Sequence, residues 1–257
     1  MSPSIQTKSI SGNRHYVHPK TNEQVPSVTT ILGVVNKPAL PRWAAKMTAE
    51  YAVSSKDSWA NLDDRAAVEL LKGSPWRSMN DAAEKGTSIH AIAEKLLRGE
   101  QIDFIQPGTE HACQSVAEFI QALQPKPVAI EATVWSHKHK YAGTLDLIAT
   151  IDNELWLIDW KSSKGVYADF ALQLAAYAMA DEIIYPDGSS MPMPEIDNAA
   201  IAHVPKQENW AFVPLNIGEP ARQAFLHALG LFEWQSIHAS SAVGANLSTS
   251  PATAKNN

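Results

Sequence analysis

Apolar positions in the first half of the chain recur at helical spacing, while in the second half they gather into short runs and alternations. Residues 14–26 read as a hairpin, with Tyr16 and Val17 before a turn at His18, Pro19, Lys20, Thr21 and Asn22, and Val25 after it. Pro26 and Ser27 open a helical stretch with Ser27 as its N-cap, and Pro38 and Pro41 are expected to break it. Helices are predicted over 42–54 and 62–72. Asn80 is the expected cap of a longer helix over 81–98, with Ala82, Ile89, Ala93, Leu96 and Leu97 at helical spacing and Gly99 as its stop. Another helix is predicted over 110–123, closed by Pro125 and Pro127.

From residue 128 the pattern changes to strands, at 128–135, 143–151 and 154–160, followed by a helix over 168–180. The stretch 185–195, rich in Pro, Gly and Ser, reads as a loop. Two more strands are predicted at 199–204 and 210–215, then a helix over 219–237. From Ala239 onward Ser, Thr, Ala and Asn dominate, which predicts a disordered tail over 239–257. The order gives an α/β core behind a helical N-terminal portion, with no internal repeat.

The segment from Gly143 to Lys161 carries the chemistry. Asp152 and Asn153 are good turn residues between two strands. A tight turn there sets Ile151 against Glu154 and Thr150 against Leu155. Counting on places Asp146 opposite Asp159, and a four-residue loop over the same centre keeps that register. Opposed residues share a face with Cβ atoms ~4.5–5.5 Å apart. Two carboxylates so placed repel, and either a shared proton or a divalent cation relieves them. Lys161, two residues after Asp159, falls on the same face. It can orient a water and offset phosphate charge, or form a structural salt bridge with either aspartate. Leu155 and Leu157 share that face, while Trp156, Ile158 and Trp160 take the other, so the strand is buried on both sides. Gln173 and Tyr177, four apart, lie on one side of the next helix, facing either the carboxylates or solvent. His90 is a lone histidine in a helix, and Glu131 sits on the preceding strand. Each reads as a candidate for the cluster or as an ordinary surface group.

Composition narrows the classes. With 45% apolar and 19% charged residues, 257 residues can bury a substantial core. A net charge of −6 weighs mildly against a polyanionic partner, so binding would need a local basic patch, for which Lys37, Arg42 and Lys46, or Lys138, His139 and Lys140, are candidates. Cys113, as a single cysteine, can form neither an internal disulfide nor a cysteine-ligated zinc or iron–sulfur site. The N-terminal residues show no secretory or transit pattern, and no apolar run reaches the ~18 residues that span a bilayer. These features predict a soluble, cytoplasmic protein without membrane partners.

Taken in order, Gly-Thr-Leu-Asp146, Asp159-Trp-Lys161 and Gln173-Leu-Ala-Ala-Tyr177 resemble the PD-(D/E)XK nuclease superfamily, nearest to its RecB-like exonuclease branch. Gly86 to His90 fits the Gly-x-x-x-His element of that branch, and Leu145 stands where the superfamily's name has proline. Residues 26–32, followed by Leu40-Pro41-Arg42-Trp43, are similar to the N-terminal part of phage-encoded and mitochondrial genome maintenance relatives. The resemblance covers roughly residues 16–180. It implies a restriction-endonuclease-like core: a hairpin and helical region over 1–125 carrying the His90 helix, a nuclease core over 126–238, and the tail over 239–257.

The same resemblance implies roles. His90, Asp146 and Asp159 would ligate one or two Mg²⁺ or Mn²⁺ ions, with the backbone carbonyl of Trp160 as a further ligand. Lys161 would position the nucleophilic water and stabilise the pentavalent transition state. Gln173 and Tyr177 would contact DNA or brace the site. The iron–sulfur variant of the fold needs four cysteines and is excluded, and the absence of a Gly-x-x-x-x-Gly-Lys-Ser/Thr loop excludes a fused helicase motor. The implied function is a metal-dependent DNA exonuclease of replication, recombination or repair, in a bacterial host cell if phage-encoded. It would act on single strands or free ends, with replication or recombination proteins as possible partners. Trp43, Trp59 and Trp76 are candidates for base stacking, or else core aromatics. Two alternatives remain at this stage: a non-catalytic DNA-binding accessory protein on the same fold, and a metal-dependent phosphoesterase acting on RNA or nucleotides.

Overall fold

A computed structural model describes residues 5–244. The N-terminal residues form a small antiparallel sheet of β1 (Thr7–Ile10), β2 (Asn13–Val17) and β3 (Gln24–Pro26). The expected hairpin is β2–β3. The additional β1 is exposed along its whole length, so no buried alternation marked it. Ser27 caps α1 (Val28–Ile31) by accepting the Thr30 N–H, and a 3₁₀ turn at Leu32–Val34 extends it.

The helical region follows as α2 (Ala39–Ser54), α3 (Lys56–Trp59), α4 (Asp64–Lys72), α5 (Ser74–Leu97) and α6 (Glu110–Leu123). Two boundaries differ from expectation. Pro41 lies in the first turn of α2 instead of breaking a helix, because a first-turn residue has no N–H bond to lose. The long helix α5 begins at Ser74 with Pro75 in its first turn, so Asn80 lies inside it and is no cap.

Seven strands make one mixed sheet. They are β4 (Lys126–Ser136), β5 (Tyr141–Ile151), β6 (Glu154–Lys161), β7 (Glu182–Ile184), β8 (Ser190–Pro192), β9 (Asn198–His203) and β10 (Ala211–Leu215), in the order β10-β9-β6-β5-β4-β7-β8. The β6–β9 pair is parallel and the other pairs are antiparallel. The segment expected as a loop over 185–195 contains β8, which turns back on β7 as a short hairpin. Helix α7 (Phe170–Ala178) follows β6, and α8 (Glu219–Glu233) follows β10, continued by wider and tighter turns to Ser241. The expected tail therefore keeps helical turns to Ser241, and its last part, 245–257, lies outside the described residues.

Helices lie on both faces of the sheet. On one, Ile89, Ile92 and Ala93 of α5 and Val116 and Phe119 of α6 pack on Leu147, Ile158 and Trp160. On the other, Val28 and Ile31 of α1, Leu174 and Tyr177 of α7, and Phe225 of α8 pack on Leu145, Ile148 and Leu157. This is an α/β architecture with a large mixed sheet flanked by helices, consistent with a restriction-endonuclease-like core. A third cluster of Ile5, Tyr16, Val25, Trp135, Ala142 and Ile184 fastens the N-terminal sheet to the large one. Among the described residues no helix is long and apolar enough to cross a membrane.

Candidate active site

The β5–β6 hairpin turns at Asp152 and Asn153, both left-handed with φ of 49° and 67°, as a two-residue turn with positive φ at both positions requires. The ladder follows the register counted from sequence, from Ile151↔Glu154 to Leu147↔Ile158. It stops one step short of Asp146 and Asp159. There the Trp160 N–H donates to Asp146 Oδ2 at 2.8 Å, so a side-chain carboxylate replaces the backbone partner.

The face alternation breaks at the same place. Leu147 and Ala149 pack towards α5 and α6, yet Leu145 packs with Ile148 towards α7 and α8. On β4 the same flip occurs between Ile130 and Ala132, across Glu131, whose φ of 48° is left-handed. The β4–β5 pairing passes from Ile130↔Leu147 to Ala132↔Leu145 and skips Glu131 and Asp146. Both strands are thus irregular at one level, and each presents a carboxylate there instead of a core side chain.

His90 reaches this break from α5. Its Nδ1 lies 3.3 Å from Asp146 Oδ1 and 3.8 Å from Glu131 Oε1, and its Nε2 lies 3.1 Å from the Trp160 carbonyl oxygen. Asp159 stands on the far side of Asp146, almost wholly buried. Its Oδ1 accepts a 2.9 Å bond from Gln173 Nε2, which also donates to the Tyr177 hydroxyl at 3.0 Å. Asp159 Oδ2 is ion-paired with Lys161. The Lys161 ammonium also lies over the Phe170 ring, 5.2 Å from its centroid. Tyr177 is buried, and its ring packs against the bare Cα of Gly143.

Charge in this cluster is divided unequally. Burial and the neighbouring Asp146 charge push Asp159 up to about 6, against the pull of Lys161. Asp146 is also buried, but His90, Lys161 and the Trp160 N–H outweigh that penalty and hold it below the usual carboxylate range. Burial raises Glu131, as does the Asp146 charge, with His90 opposing. His90 and Lys161 lie above their ordinary values: burial works against both, and the surrounding carboxylates overcome it. Burial and the two aspartates suppress ionisation of Tyr177.

The structure therefore brings together every residue singled out from sequence for the centre: His90, Glu131, Asp146, Asp159, Trp160, Lys161, Gln173 and Tyr177. The arrangement differs in detail from the expected ligand set. The donor atoms within 4.8 Å of one another belong to His90, Glu131 and Asp146, while Asp159 is engaged by Gln173 and Lys161. One imidazole nitrogen and the clustered carboxylate oxygens of Glu131 and Asp146, with Asp159 beside them, form a donor set that fits a divalent cation. The contact of His90 Nε2 with the Trp160 carbonyl is of the kind that can orient an imidazole whose other nitrogen binds a metal.

Other candidates lie elsewhere. Trp59 donates to the Ala52 carbonyl and Trp43 is half-buried, whereas Trp76 is 61% exposed on α5. Lys46 pairs with Glu50 within α2, and Lys140 with Glu23 of the N-terminal sheet. A second cluster, which no local spacing in the sequence announces, joins His18, His137 and Glu182. Both imidazole Nε2 atoms meet Glu182 Oε1, at 3.2 and 2.7 Å. His18 Nδ1 accepts the Lys20 and Thr21 N–H groups, so its proton sits on Nε2 and is donated to the carboxylate. This cluster ties the β2–β3 turn to the ends of β4 and β7.

No family model matches the chain. Over 170 residues, 62% of its length, the chain is 30% identical to a protein of Mus musculus named mitochondrial genome maintenance exonuclease 1. The match covers 45% of that protein, so the chain spans under half the length of this relative. At that identity the likeness supports kinship with a nuclease, and no finer assignment.

Proposed function

We propose that the protein is a divalent-metal-dependent deoxyribonuclease, acting as an exonuclease in DNA replication, recombination or repair. One observation carries this reading: two adjacent strands lose their alternation at the same level, and each places a carboxylate there beside a histidine and a lysine. Three carboxylates gathered with one lysine and one histidine, whose imidazole could give up its proton to a metal, leave negative charge that a divalent cation would offset. The similarity to a genome maintenance exonuclease points to the same reaction class and to DNA as substrate.

His90 through Nδ1, Glu131 and Asp146 would hold the ion, with Asp159 Oδ2 and the Trp160 carbonyl beside them. Bound Mg²⁺ or Mn²⁺ would acidify a water and draw charge from the scissile phosphate. The aspartates raise Lys161 above its ordinary value, which favours the ammonium and a donor role. One of its three N–H groups faces Asp159, and the others are free to orient the attacking water and a phosphate oxygen. Gln173 fixes Asp159 through Oδ1, which leaves Oδ2 turned to the lysine, and Tyr177 fixes Gln173. Because Tyr177 is buried, its part in this reading is to brace the site.

The test is cleavage of end-labelled single- and double-stranded DNA with Mg²⁺ or Mn²⁺, comparing the native protein with Asp146→Ala and Lys161→Ala. Degradation by the native protein alone supports a catalytic centre, and the product ladder gives polarity. Equal behaviour of all three makes the cluster structural. Competition by mononucleotides at low concentration would instead favour a nucleotide phosphoesterase.

A further inference from the structure

The centre is rich in carboxylates, the chain carries a net charge of −6, and a polyanionic strand must nevertheless be held beside Lys161. Lys37 is a candidate. It follows the α1 segment, which packs against α7 and β5, and its ammonium lies 3.1 Å from Asp169 Oδ2. Asp169 immediately precedes Phe170, whose ring lies beneath the Lys161 ammonium. Lys37 is thus anchored one residue from the aromatic platform of the central lysine. Its side chain is 52% exposed and that of Asp169 34%, so the pair sits at the rim. An exposed pair of this kind contributes little to stability, and a phosphate diester can displace the carboxylate from the ammonium.

Resting on the nuclease reading above, we propose that Lys37 is a substrate-binding residue: it grips a backbone phosphate next to the one at Lys161, with Asp169 as its resting counter-ion. Asp169 then has two roles. In the free protein it holds Lys37 at the rim, and during binding it competes with the phosphate. Lys37 accordingly adds affinity without adding base preference.

The two possible roles of the pair make opposite forecasts. If the pair serves only the fold, Lys37→Ala and Asp169→Asn break the same contact and have the same effect. If Lys37 binds phosphate, Lys37→Ala weakens binding and Asp169→Asn, by releasing the lysine, strengthens it. The measurement is fluorescence anisotropy of a labelled oligo(dT) with the full chain, in Ca²⁺ or chelator so that nothing is cut, across a KCl series. The expected result for Lys37→Ala is weaker binding at every salt concentration and a log–log salt slope shallower by about 0.7, the value for one phosphate contact on a single strand. Lys72→Ala, on the exposed pair with Glu69 within α4, is the control and should leave the slope unchanged. Melting temperatures of all variants should lie near the native value. An unchanged slope for Lys37→Ala, or equal losses from Lys37→Ala and Asp169→Asn, overturns the assignment while leaving the nuclease reading intact. A native protein without salt-dependent DNA binding overturns both.

Discussion

Gly143→Ala is the sharpest single probe of how the site is built. A Cβ at this position would lie 2.5 Å from Tyr177 Cε1 and 3.3 Å from two further ring carbons, whereas ordinary contact begins at 3.4 Å. Relief requires the ring or the strand to move by about an ångström. Neither has room: Tyr177 is 3% exposed and packs among Leu145, Leu174 and Ala176, and its hydroxyl is tied to Gln173. Gly143 has no left-handed φ, so the penalty is steric, about 1–3 kcal/mol for overpacking. Restricting the unfolded chain returns about 0.4–1 kcal/mol, leaving a net loss of about 1–2 kcal/mol. For a chain of this size that is a fall in melting temperature of roughly 2–8 °C. The displaced ring moves Gln173 and with it Asp159, and a misplacement of about 1 Å at a reacting centre can cost ~100-fold in rate. Thermal melts and cleavage rates would be measured for Gly143→Ala alone and in a Tyr177→Ala background. With the ring removed, the alanine should be tolerated to within about 0.5 kcal/mol. If Gly143→Ala melts and cuts like the native protein, or if its cost persists without the ring, the close approach of Tyr177 does not organise the site.

Two further outcomes follow from the charges. Asp159 is raised to about 6, so the folded state binds its proton more tightly than the unfolded chain does. Its contribution to stability is full below the unfolded value near 4 and is lost as the pH rises through about 6. In chelator, the difference in melting temperature between Asp159→Asn and the native protein should therefore grow in favour of the variant from pH 4 to 7, and a pH-independent difference would sink this account. Gln173→Ala should lower cleavage on the order of tenfold or more by freeing Asp159. Gln173→Glu should do worse, with the acidic limb of its pH–rate profile moved to higher pH by the added carboxylate. Identical profiles for the two variants would mean that the Gln173–Asp159 bond does not matter.

The centre was legible in sequence because a two-residue turn fixes a register. With Asp152 and Asn153 at the turn, simple counting brings Asp146 and Asp159 to the same level, and the ladder obeys that count to its last pair. The local break was not legible. Strict alternation would set Leu145 with Leu147, and nothing in the letters shows that Glu131 takes a left-handed backbone and that both strands change face together. The place of Glu131 therefore stayed open until β4 was laid beside β5. The start of α5 lies earlier than Asn80 because Pro75, with its fixed φ and no N–H to lose, suits the first turn, and Asn80 falls inside the helix. The β7–β8 hairpin escaped because strands of three residues carry too little alternation to register against a Pro- and Gly-rich background. The His18–His137–Glu182 cluster joins three remote segments, and sequence spacing carries no trace of it.

That last contact has a consequence for how the chain comes off the ribosome. His18 and Glu182 are 164 residues apart, and the N-terminal sheet rests on Trp135, Ala142 and Ile184. At a synthesis rate of about 5–20 residues per second, the segment that is made first waits roughly 8–30 s for its seat to exist. The strands bearing Asp146 and Asp159 are made in that interval, before Glu182 and Ile184 exist to receive His18 and complete the seat of the N-terminal sheet. Translation thus makes the strands that carry Asp146 and Asp159 before the contact that seats the β2–β3 turn can form.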